Sequence, residues 1–504
     1  MQLVKRNADE VFGGVEVVKS ATSTKEADGI IAEIDDILHS MIKSVPSNID
    51  LVAVLQKEIK DPLFKYKDGD GNIQATKIPD TFYIVAIVHK LISIGKEKGW
   101  DIAKENDFIY LYNGKFWVHC AKDNLYKFFK QISERMNFYS PAKAETTEFK
   151  DKLYKQFLTS ASFYKADAKT DVALLNVQNG TLEVKNGKAQ LREHRKEDFI
   201  KYALPFDYNE EAEAPIFNRY LNEILSKELQ EVLQDFCGYI FISHLKLEKC
   251  LVCYGSGANG KSVFFEVISS LLGSANIATK SLGDLTDGTQ GAYSRATIKD
   301  KLVNYGSEIK GKNVDVDIFK RLVSGEPVQA RLPYGNPFDL KSNIKFIFNA
   351  NELPRLEEHN NAVFRRFIIV PFERTIPKER QDKELHLKIA RNELAGVLNW
   401  LLQGLERVLV NKSIAEPKEV TDALAQYKRE TDTVALFVEE QGYHQTATLE
   451  ECFFKSSQAL YNEYRDETKN NGHYPLGKSK FLKRFKDLGF EEKRENNLRG
   501  FLLG

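Results

Sequence analysis

The spacing of apolar and polar residues divides the chain into segments of different character. Residues 1–100 contain stretches such as DGIIAEIDDILHSMIKSV (28–45), in which apolar residues recur at every third or fourth position, the spacing of an amphipathic helix. Residues 101–205 alternate apolar and polar positions around Asn-Gly pairs at 113–114 and 179–180, which is typical of β-hairpins. The first segment is therefore predicted to be mainly helical and the second to be α+β.

Three further segments complete the chain. Residues 206–245 have helical spacing and are predicted to form a helical collar. Residues 246–410 alternate short apolar runs with helical stretches, the layout of an α/β domain with a parallel sheet. Residues 411–504 are predicted to form a small separate domain whose last part is a helix followed by two strands. The predicted fold class is α/β, with an α+β region before the parallel sheet.

Composition adds two limits to this picture. A chain of 504 residues is too long for one hydrophobic core and should divide into several domains. Its 72 basic and 72 acidic residues give a net charge of zero, so any contact with nucleic acid must come from a local basic patch or a lined channel. There is no signal-peptide pattern and no apolar run of transmembrane length, so we expect a cytoplasmic protein without a membrane partner. Cys250 and Cys253 form a lone C-x-x-C inside an apolar run and are expected to be structural.

The stretch GSGANGKS (255–262) contains the spacings of two phosphate-binding motifs. It fits the dinucleotide fingerprint G-x-G-x-x-G and also the phosphate loop G-x-x-x-x-G-K-[ST]. Only the second motif includes the Lys-Ser pair. A dinucleotide site also needs an acidic residue at the end of the next strand, and in the segment GSANIATKSLGDL no such strand-end acid stands out. The stretch therefore predicts a nucleoside triphosphate site.

A strand before this stretch and a helix after it would place backbone N–H groups around the phosphates. We expect ATP as the nucleotide and Mg²⁺ as the metal, with Lys261 balancing phosphate charge and Ser262 binding the metal. The residues predicted to surround the phosphates are Gly255, Ser256, Gly257, Ala258, Asn259, Gly260, Lys261 and Ser262.

Candidate catalytic residues lie at the ends of the next strands. Glu308 follows the run KLVNYGS and could activate the attacking water or lie near Mg²⁺, unless it is an ordinary surface acid. Asn351, with Asn349 as the alternative, follows NIKFIF and could bind the γ-phosphate or its water. Arg365 and Arg366 precede another strand; we expect one to form a structural salt bridge and the other to act as an arginine finger, with Arg366 preferred because it lies nearer the strand.

The ordered motifs GSGANGKS, LVNYGSEI, LVSGEPVQARLPYGNPFDLK, FIFNANELP and FRRFIIVPF resemble the superfamily 3 helicases, in the branch of phage, plasmid and poxvirus-type primase-helicases. The resemblance extends over roughly residues 105–504. It implies an AAA+ type P-loop ATPase core, followed by a winged-helix domain, that assembles as a hexameric ring and translocates along single-stranded DNA. Many relatives have an acidic pair where this chain has Ser307 and Glu308.

The third motif of that family forms a β-hairpin that points into the ring channel. The alternation in EPVQARLPYGNPFDLK predicts such a hairpin here, although an ordinary surface hairpin is the alternative. Arg331 and Lys341 could contact DNA phosphates, and Tyr334 at the tip could stack on a base.

The last segment carries a local excess of positive charge. Residues 478–499 contain eight basic and four acidic residues on a predicted helix and hairpin, and Lys483 and Arg484 are the candidate DNA contacts. A solvated charged face is the alternative.

Together these observations predict an ATP-dependent replicative DNA helicase of a phage, prophage or plasmid, acting on single-stranded and forked DNA in the bacterial host cytoplasm. Residues 1–100 are too short for a primase domain, and their acidic pair Glu33 and Asp35 is expected on a solvated helix face, so a separate primase or polymerase is a candidate partner. The alternative function is an origin-binding or loading ATPase scaffold whose ATP cycle controls assembly without processive unwinding.

Overall fold

Two compact units divide the chain, one formed by residues 1–167 and 195–202 and the other by 168–194 and 203–504. The computed structural model describes residues 23–60, 63–161, 163–164, 172–185, 187–288, 290–306, 314–333, 335–353, 361–444, 453–471, 475–495 and 498–504. Within these ranges no helix combines the length and apolarity needed to cross a membrane.

The first unit packs helices against a small antiparallel sheet. Its helices are α1 (Ser23–Ser44), α2 (Leu51–Glu58), α3 (Asp80–Lys98), α4 (Lys122–Arg135), α5 (Pro141–Glu145) and α6 (Thr147–Ser160). Its strands are β1 (Ile102–Glu105), β2 (Phe108–Tyr112) and β3 (Trp117–Cys120), in the order β1-β2-β3. The mixture of helices and strands confirms the α+β character predicted for the N-terminal region.

Side chains from α3, α4 and α6 form the core of this unit. Tyr83, Ile87, Phe129 and Leu153 are buried there with the inward faces of the strands. The predicted hairpin forms between β2 and β3, where the Asn113 side chain accepts hydrogen bonds from the backbone N–H groups of Lys115 and Phe116. An Asx turn of this kind is the reason that the sequence signal was readable.

The second unit begins with a three-stranded meander of β4 (Ala173–Val177), β5 (Gly180–Lys185) and β6 (Lys188–Arg192). Two helices follow, α7 (Pro215–Ile224) and α8 (Lys227–Tyr239). Helix α8 packs on α15 (Leu394–Asn411) so closely that a Cβ on Gly404 would lie within 3.0 Å of the Gln234 backbone. The Arg407 guanidinium pairs with the buried Asp235 carboxylate at 2.7 Å across the same contact.

A five-stranded parallel sheet forms the centre of this unit, in the order β13-β7-β12-β9-β8. Its strands are β7 (Cys250–Tyr254), β8 (Ile277–Ala278), β9 (Val303–Gly306), β12 (Lys345–Ala350) and β13 (Phe367–Pro371). The connecting helices are α9 (Lys261–Leu272), α10 (Leu282–Thr286), α11 (Gly291–Thr297), α12 (Val316–Val323), α13 (Asn361–Phe364) and α14 (Leu385–Asn392). The strands are almost wholly apolar because helices cover both faces of a parallel sheet, which confirms the predicted parallel α/β architecture.

The remaining elements are a hairpin inserted into this unit and a group at the C-terminus. The hairpin strands β10 (Val328–Arg331) and β11 (Pro337–Leu340) pair Val328 with Leu340 and Ala330 with Phe338. The C-terminal elements are α16 (Lys418–Thr431), α17 (Thr433–Glu440), β14 (Phe453–Ser456), α18 (Ser457–Asn470), α19 (Lys478–Asp487), β15 (Glu492–Glu495) and β16 (Leu498–Leu503), with the sheet order β14-β16-β15. The final helix, strand and strand appear where the sequence predicted them.

Lys345 is a buried cation at the start of β12. Its side chain lies over the Tyr239 ring, with Nζ 4.1 Å from the ring centroid, and the residue is 6% exposed. Burial, together with the like charge of Lys246, lowers the pKa of Lys345 from 10.5 to about 7. The unfolded chain therefore keeps a proton that the folded chain releases between pH 7 and 10.5, so this residue makes the protein more stable as pH rises through that window.

We predict that Lys345→Met raises the apparent melting temperature at pH 7 by about 5 °C, because it removes a buried charge worth on the order of 2 kcal/mol. The difference from wild type should shrink as the pH is raised towards 10. Thermal unfolding at several pH values measures it, with the exposed Lys418→Met as control. A difference that stays constant with pH would show that Lys345 does not titrate in this range.

Candidate nucleotide site

The loop between β7 and α9 has the backbone conformation of an anion-binding turn. Gly257, Ala258 and Gly260 have positive φ angles of 118°, 50° and 87°. Gly260 is the N-cap of α9 and supplies no side-chain hydrogen bond to the first turn. The first N–H groups of α9 therefore have no side-chain cap from this position, which suits them to an anionic ligand.

Gly255 lies where only glycine fits. Its N–H donates to the Ala350 carbonyl at 3.0 Å, and a Cβ there would come within 3.0 Å of the Asn259 side-chain amide and the Phe372 carbonyl. The Asn259 amide also donates to that carbonyl at 2.8 Å. The loop is thus tied to the ends of two neighbouring strands, β12 and β13.

Lys261 is folded back into the loop. Its ammonium donates to the Gly255 carbonyl at 2.6 Å and to the Asn259 Oδ1 at 3.0 Å, and the residue is 6% exposed. Burial lowers the pKa of Lys261. A phosphate beside the ammonium would favour the charged form, so this lysine fits a polyphosphate ligand. Ser262 is exposed on the first turn of α9, where its hydroxyl could bind Mg²⁺.

The two asparagines that the sequence offered as alternatives at the end of β12 lie in different environments. Asn349 is buried and its Oδ1 accepts a hydrogen bond from the Tyr305 hydroxyl at 3.2 Å, whereas Asn351 is exposed just beyond the end of β12. Only Asn351 is placed to meet a ligand above the sheet. Glu308 lies outside the described residues, and β9 ends two residues earlier at Gly306.

A cavity of about 380 Å³ adjoins the phosphate loop. Ile224 connects the two: it lines the cavity, and its side chain lies so close to Gly260 in the loop that a Cβ added there would be 3.0 Å away. The cavity is bounded by the end of α7, the ends of β7 and β13, and α16. Its charged and amide lining residues are Glu373, Arg374, Glu419, Asp422, Gln426 and Glu430.

The two adjacent arginines occupy different environments. Arg366 is 6% exposed, and its guanidinium donates to Glu248 Oε2 at 2.8 Å and to the Ser324 hydroxyl at 2.9 Å. The Arg365 side chain is 65% exposed and lies 3.5 Å from the same carboxylate oxygen. The sequence favoured Arg366 as the finger, but its hydrogen bonds within this chain make it the structural arginine, and the geometry favours Arg365 for an exposed role.

The hairpin formed by β10 and β11 has a buried base and an exposed end. Val328, Ala330 and Leu340 are buried, whereas Leu332 is exposed beyond the last pair of the ladder. Arg331 and Lys341 are both exposed, and the Arg331 Nε donates to the Gly335 carbonyl at 2.9 Å. Tyr334 lies outside the described residues.

Lys483 and Arg484 on α19 also differ. Lys483 is exposed, but the Arg484 guanidinium donates to Oδ2 of Asp432 from Nε at 2.9 Å and from Nη2 at 2.5 Å. Asp432 is buried and its side chain caps α17. Arg484 therefore holds α19 against α17, and Lys483 is the one of the pair that faces solvent.

The structure adds two residues that sequence reasoning missed. The Tyr220 hydroxyl donates to the Gly260 carbonyl at 2.7 Å and so supports the phosphate loop from α7. Arg374 follows β13, lines the cavity and donates to the Glu223 carbonyl at 3.2 Å. A basic residue directly after a strand beside the loop was the available signal for Arg374, whereas nothing local marks Tyr220.

The cysteines behave as the sequence predicted. Cys250 and Cys253 are buried, unpaired thiols in β7, and burial raises the pKa of Cys253 to about 12. Across the ranges that the structure describes, no group of His, Cys, Asp and Glu residues could hold a metal ion.

Two family profiles match parts of the chain. Residues 86–226 match a family described as D5 N terminal like, and residues 253–366 match a family of unknown function (DUF5906). The second range contains the phosphate loop, β12 and both arginines.

One curated relative is a protein of Acanthamoeba polyphaga mimivirus named as a putative helicase. It is 22% identical over 291 residues, which cover 53% of this chain and 30% of the relative. The chain thus spans about a third of the length of the curated relative it matches.

Among solved structures, two apo structures of the NrS-1 C-terminal region are similar to this chain. One has a TM-score of 0.45 and 11% identity, and the other a TM-score of 0.43 and 12% identity. Each match covers 82% of this chain and 98% of the other.

We predict that Gly255→Ala lowers the affinity for Mg·ATP by about ten-fold or more, because the added methyl displaces Asn259 or the Phe372 carbonyl and so moves the loop. Titration of a fluorescent ATP analogue measures the affinity. Gly288→Ala is the matched control, since a Cβ there meets nothing within 4 Å. Equal affinities for the two variants would argue against this loop as the phosphate site.

Proposed function

We propose that this chain is an ATP-driven replicative DNA helicase with an AAA+ type P-loop core. The proposal rests on the phosphate loop. This loop follows β7 of the five-stranded parallel sheet and approaches neighbouring atoms so closely at Gly255 that only glycine fits there. It leads into α9, whose N-cap residue supplies no side-chain hydrogen bond. Such a loop binds the phosphates of a nucleoside triphosphate.

The cavity beside the loop accommodates the rest of the nucleotide. Its volume of about 380 Å³ lies within the range of small-molecule sites. Four carboxylates and one arginine are among its lining residues, so it repels phosphates and favours a base that donates hydrogen bonds. The triphosphate then lies at Lys261 and the base near α16.

Hydrolysis uses residues at the edge of the sheet. Lys261 moves from the Gly255 carbonyl to the phosphate oxygens, and Ser262 holds Mg²⁺, which neutralises phosphate charge. Asn351 orients the attacking water or the γ-phosphate, and Glu308, which follows the sequence of β9 by two residues, accepts the proton of that water.

An arginine from a neighbouring subunit completes the site. Arg365 is the candidate because its side chain is exposed, whereas Arg366 is committed to Glu248 and Ser324. A finger supplied in trans fits a head-to-tail interface between subunits, which closes into a ring when the rotation between subunits allows it, and we propose a hexameric ring. Stabilisation of transition-state charge by such an arginine accelerates hydrolysis strongly.

DNA is contacted by the hairpin and by the C-terminal elements. Arg331 lies in the last pair before the exposed end of the hairpin, whereas Lys341 follows the Val328–Leu340 pair at its base. Both side chains are exposed and would bind phosphates of a single strand, with Tyr334 between them in sequence. The order of helices and strands after residue 432 supports a winged-helix domain, in which Lys483 on α19 faces a duplex.

The comparisons support the same class of function. The mimivirus relative bears the name putative helicase, and the profile described as D5 N terminal like covers the region before the phosphate loop. We propose that the chain serves the replication of a mobile element, such as a phage, prophage or plasmid.

We predict that Lys261→Ala and Arg365→Ala each reduce ATP hydrolysis by about 100-fold or more, and that both abolish unwinding of a forked duplex. Hydrolysis by wild type should rise on addition of single-stranded DNA. Arg391→Ala, at an exposed position on α14, is the matched control and should remain active.

Arg366→Ala should instead lower the melting temperature, because it leaves the Glu248 carboxylate without its closest cation. If the hydrolysis rate of wild type does not change on addition of DNA and the protein separates no strands, the result would favour an assembly scaffold over a helicase.

A further inference from the structure

Arg366 joins three segments of the second unit. Its Nη2 donates to Glu248, which precedes β7, and to Ser324, which ends α12, and its Nη1 donates to the Ala362 carbonyl in α13. The Arg366 side chain is buried, and its hydrogen bond to Ser324 is shielded from water, where a charge-assisted hydrogen bond is strong. The Glu248 side chain is 37% exposed, so the ion pair with Arg366 remains in contact with solvent.

Glu248 is shared between the two arginines. Its Oε2 lies 2.8 Å from Nη2 of Arg366 and 3.5 Å from Nη2 of Arg365. Glu248 also has a φ of 55°, a conformation that a residue with a side chain rarely adopts. Glu248 thus contacts both guanidinium groups, so Arg365 pairs with a residue that also holds Arg366.

Ser324 connects the same cluster to the hairpin. It is the C-cap of α12, and the turn from Ser324 to Pro327 leads directly into β10. Gly325 and Glu326 in this turn donate to the carbonyls of Leu322 and Arg321, which makes the turn tight. A displacement of Ser324 therefore moves the base of the hairpin rather than being absorbed by a loose loop.

The cluster has unused hydrogen-bonding capacity. Among the residues that the structure describes, no acceptor meets the buried Nε of Arg366. A static structural ion pair normally satisfies all of its buried donors. An arginine with one unmet donor loses less when its partners change than an arginine whose donors are all bonded.

We propose that Glu248, Arg366 and Ser324 form a coupling clamp that links the exposed Arg365 to the DNA-facing hairpin. Arg366 and Glu248 are positioning residues. When Arg365 binds a neighbour's γ-phosphate, Glu248 loses that contact and pairs with Arg366 alone. The resulting movement of Arg366 displaces Ser324 and, with it, the base of the hairpin. By thermodynamic reciprocity, DNA on the hairpin then changes the position of Arg365. This inference rests on the proposed function, since it assumes a finger in trans and a hairpin that binds a single strand.

Removal of the Ser324 hydroxyl tests the clamp without touching the nucleotide site. We expect Ser324→Ala to lower the melting temperature by a few degrees, because Arg366 loses a buried hydrogen-bond acceptor, and to keep the hydrolysis rate without DNA. It should also lose about five-fold or more of the stimulation by single-stranded DNA. Ser342→Ala is the matched control after the other strand at the same base of the hairpin, where the hydroxyl accepts from the Ile344 N–H instead. Ser324→Thr retains a hydroxyl and should restore the stimulation.

A second measurement distinguishes coupling from a structural role. The affinity for single-stranded DNA is measured with and without a non-hydrolysable ATP analogue, and the ratio of the two values should depart from one in wild type and approach one in Ser324→Ala and Glu248→Gln. Ser324→Ala with the stimulation and the ratio of wild type would overturn the clamp while leaving the helicase proposal intact. A wild-type protein that DNA does not stimulate would remove the helicase proposal, and the clamp with it.

Discussion

The close approach of the Gly255 backbone to Asn259 and to the Phe372 carbonyl is the constraint on which the candidate site depends. It fixes the turn that follows β7 against the exit of β13, and the N–H of Gly255 ties the same turn to the end of β12. Among the residues that the structure describes, the buried Lys261 ammonium then donates to the carbonyl of Gly255 and the amide oxygen of Asn259. The oxygens of a bound polyphosphate would replace these two acceptors, so the ligand can substitute for the contacts that hold Lys261 in the loop.

Much of this arrangement was predictable because its signals are local. The apolar run of β7, the glycine-rich turn and the helical spacing of α9 lie within one continuous stretch, and Gly273 is the C-cap of α9. The hairpin of β10 and β11 was readable because apolar side chains alternate at Val328, Ala330, Phe338 and Leu340, of which Phe338 is only partly buried. Asn-Gly pairs marked the turns before β3 and β5 for the same reason, since turn chemistry is set by neighbouring residues.

The roles within pairs of like residues were not predictable. Arg365 and Arg366 carry the same charge at adjacent positions. Glu248, far away in sequence, contacts both, but only Arg366 also packs against Ser324 and Ala362 and is buried. Lys483 and Arg484 are separated in the same way by Asp432, whose burial depends on how α17 packs. A sequence pattern records which residues are basic, but long-range packing determines which of them remain available to a ligand.

The central claim is that ATP is hydrolysed between subunits, with Lys261 and Arg365 supplied by different chains. Mixing the inactive Lys261→Ala and Arg365→Ala proteins tests it most directly, because a mixed ring contains interfaces with both residues intact. The account predicts that ATP hydrolysis returns on mixing, up to a fraction set by the ratio of the two proteins. Hydrolysis that stays at the level of the separate variants, in rings shown to exchange subunits, would contradict it.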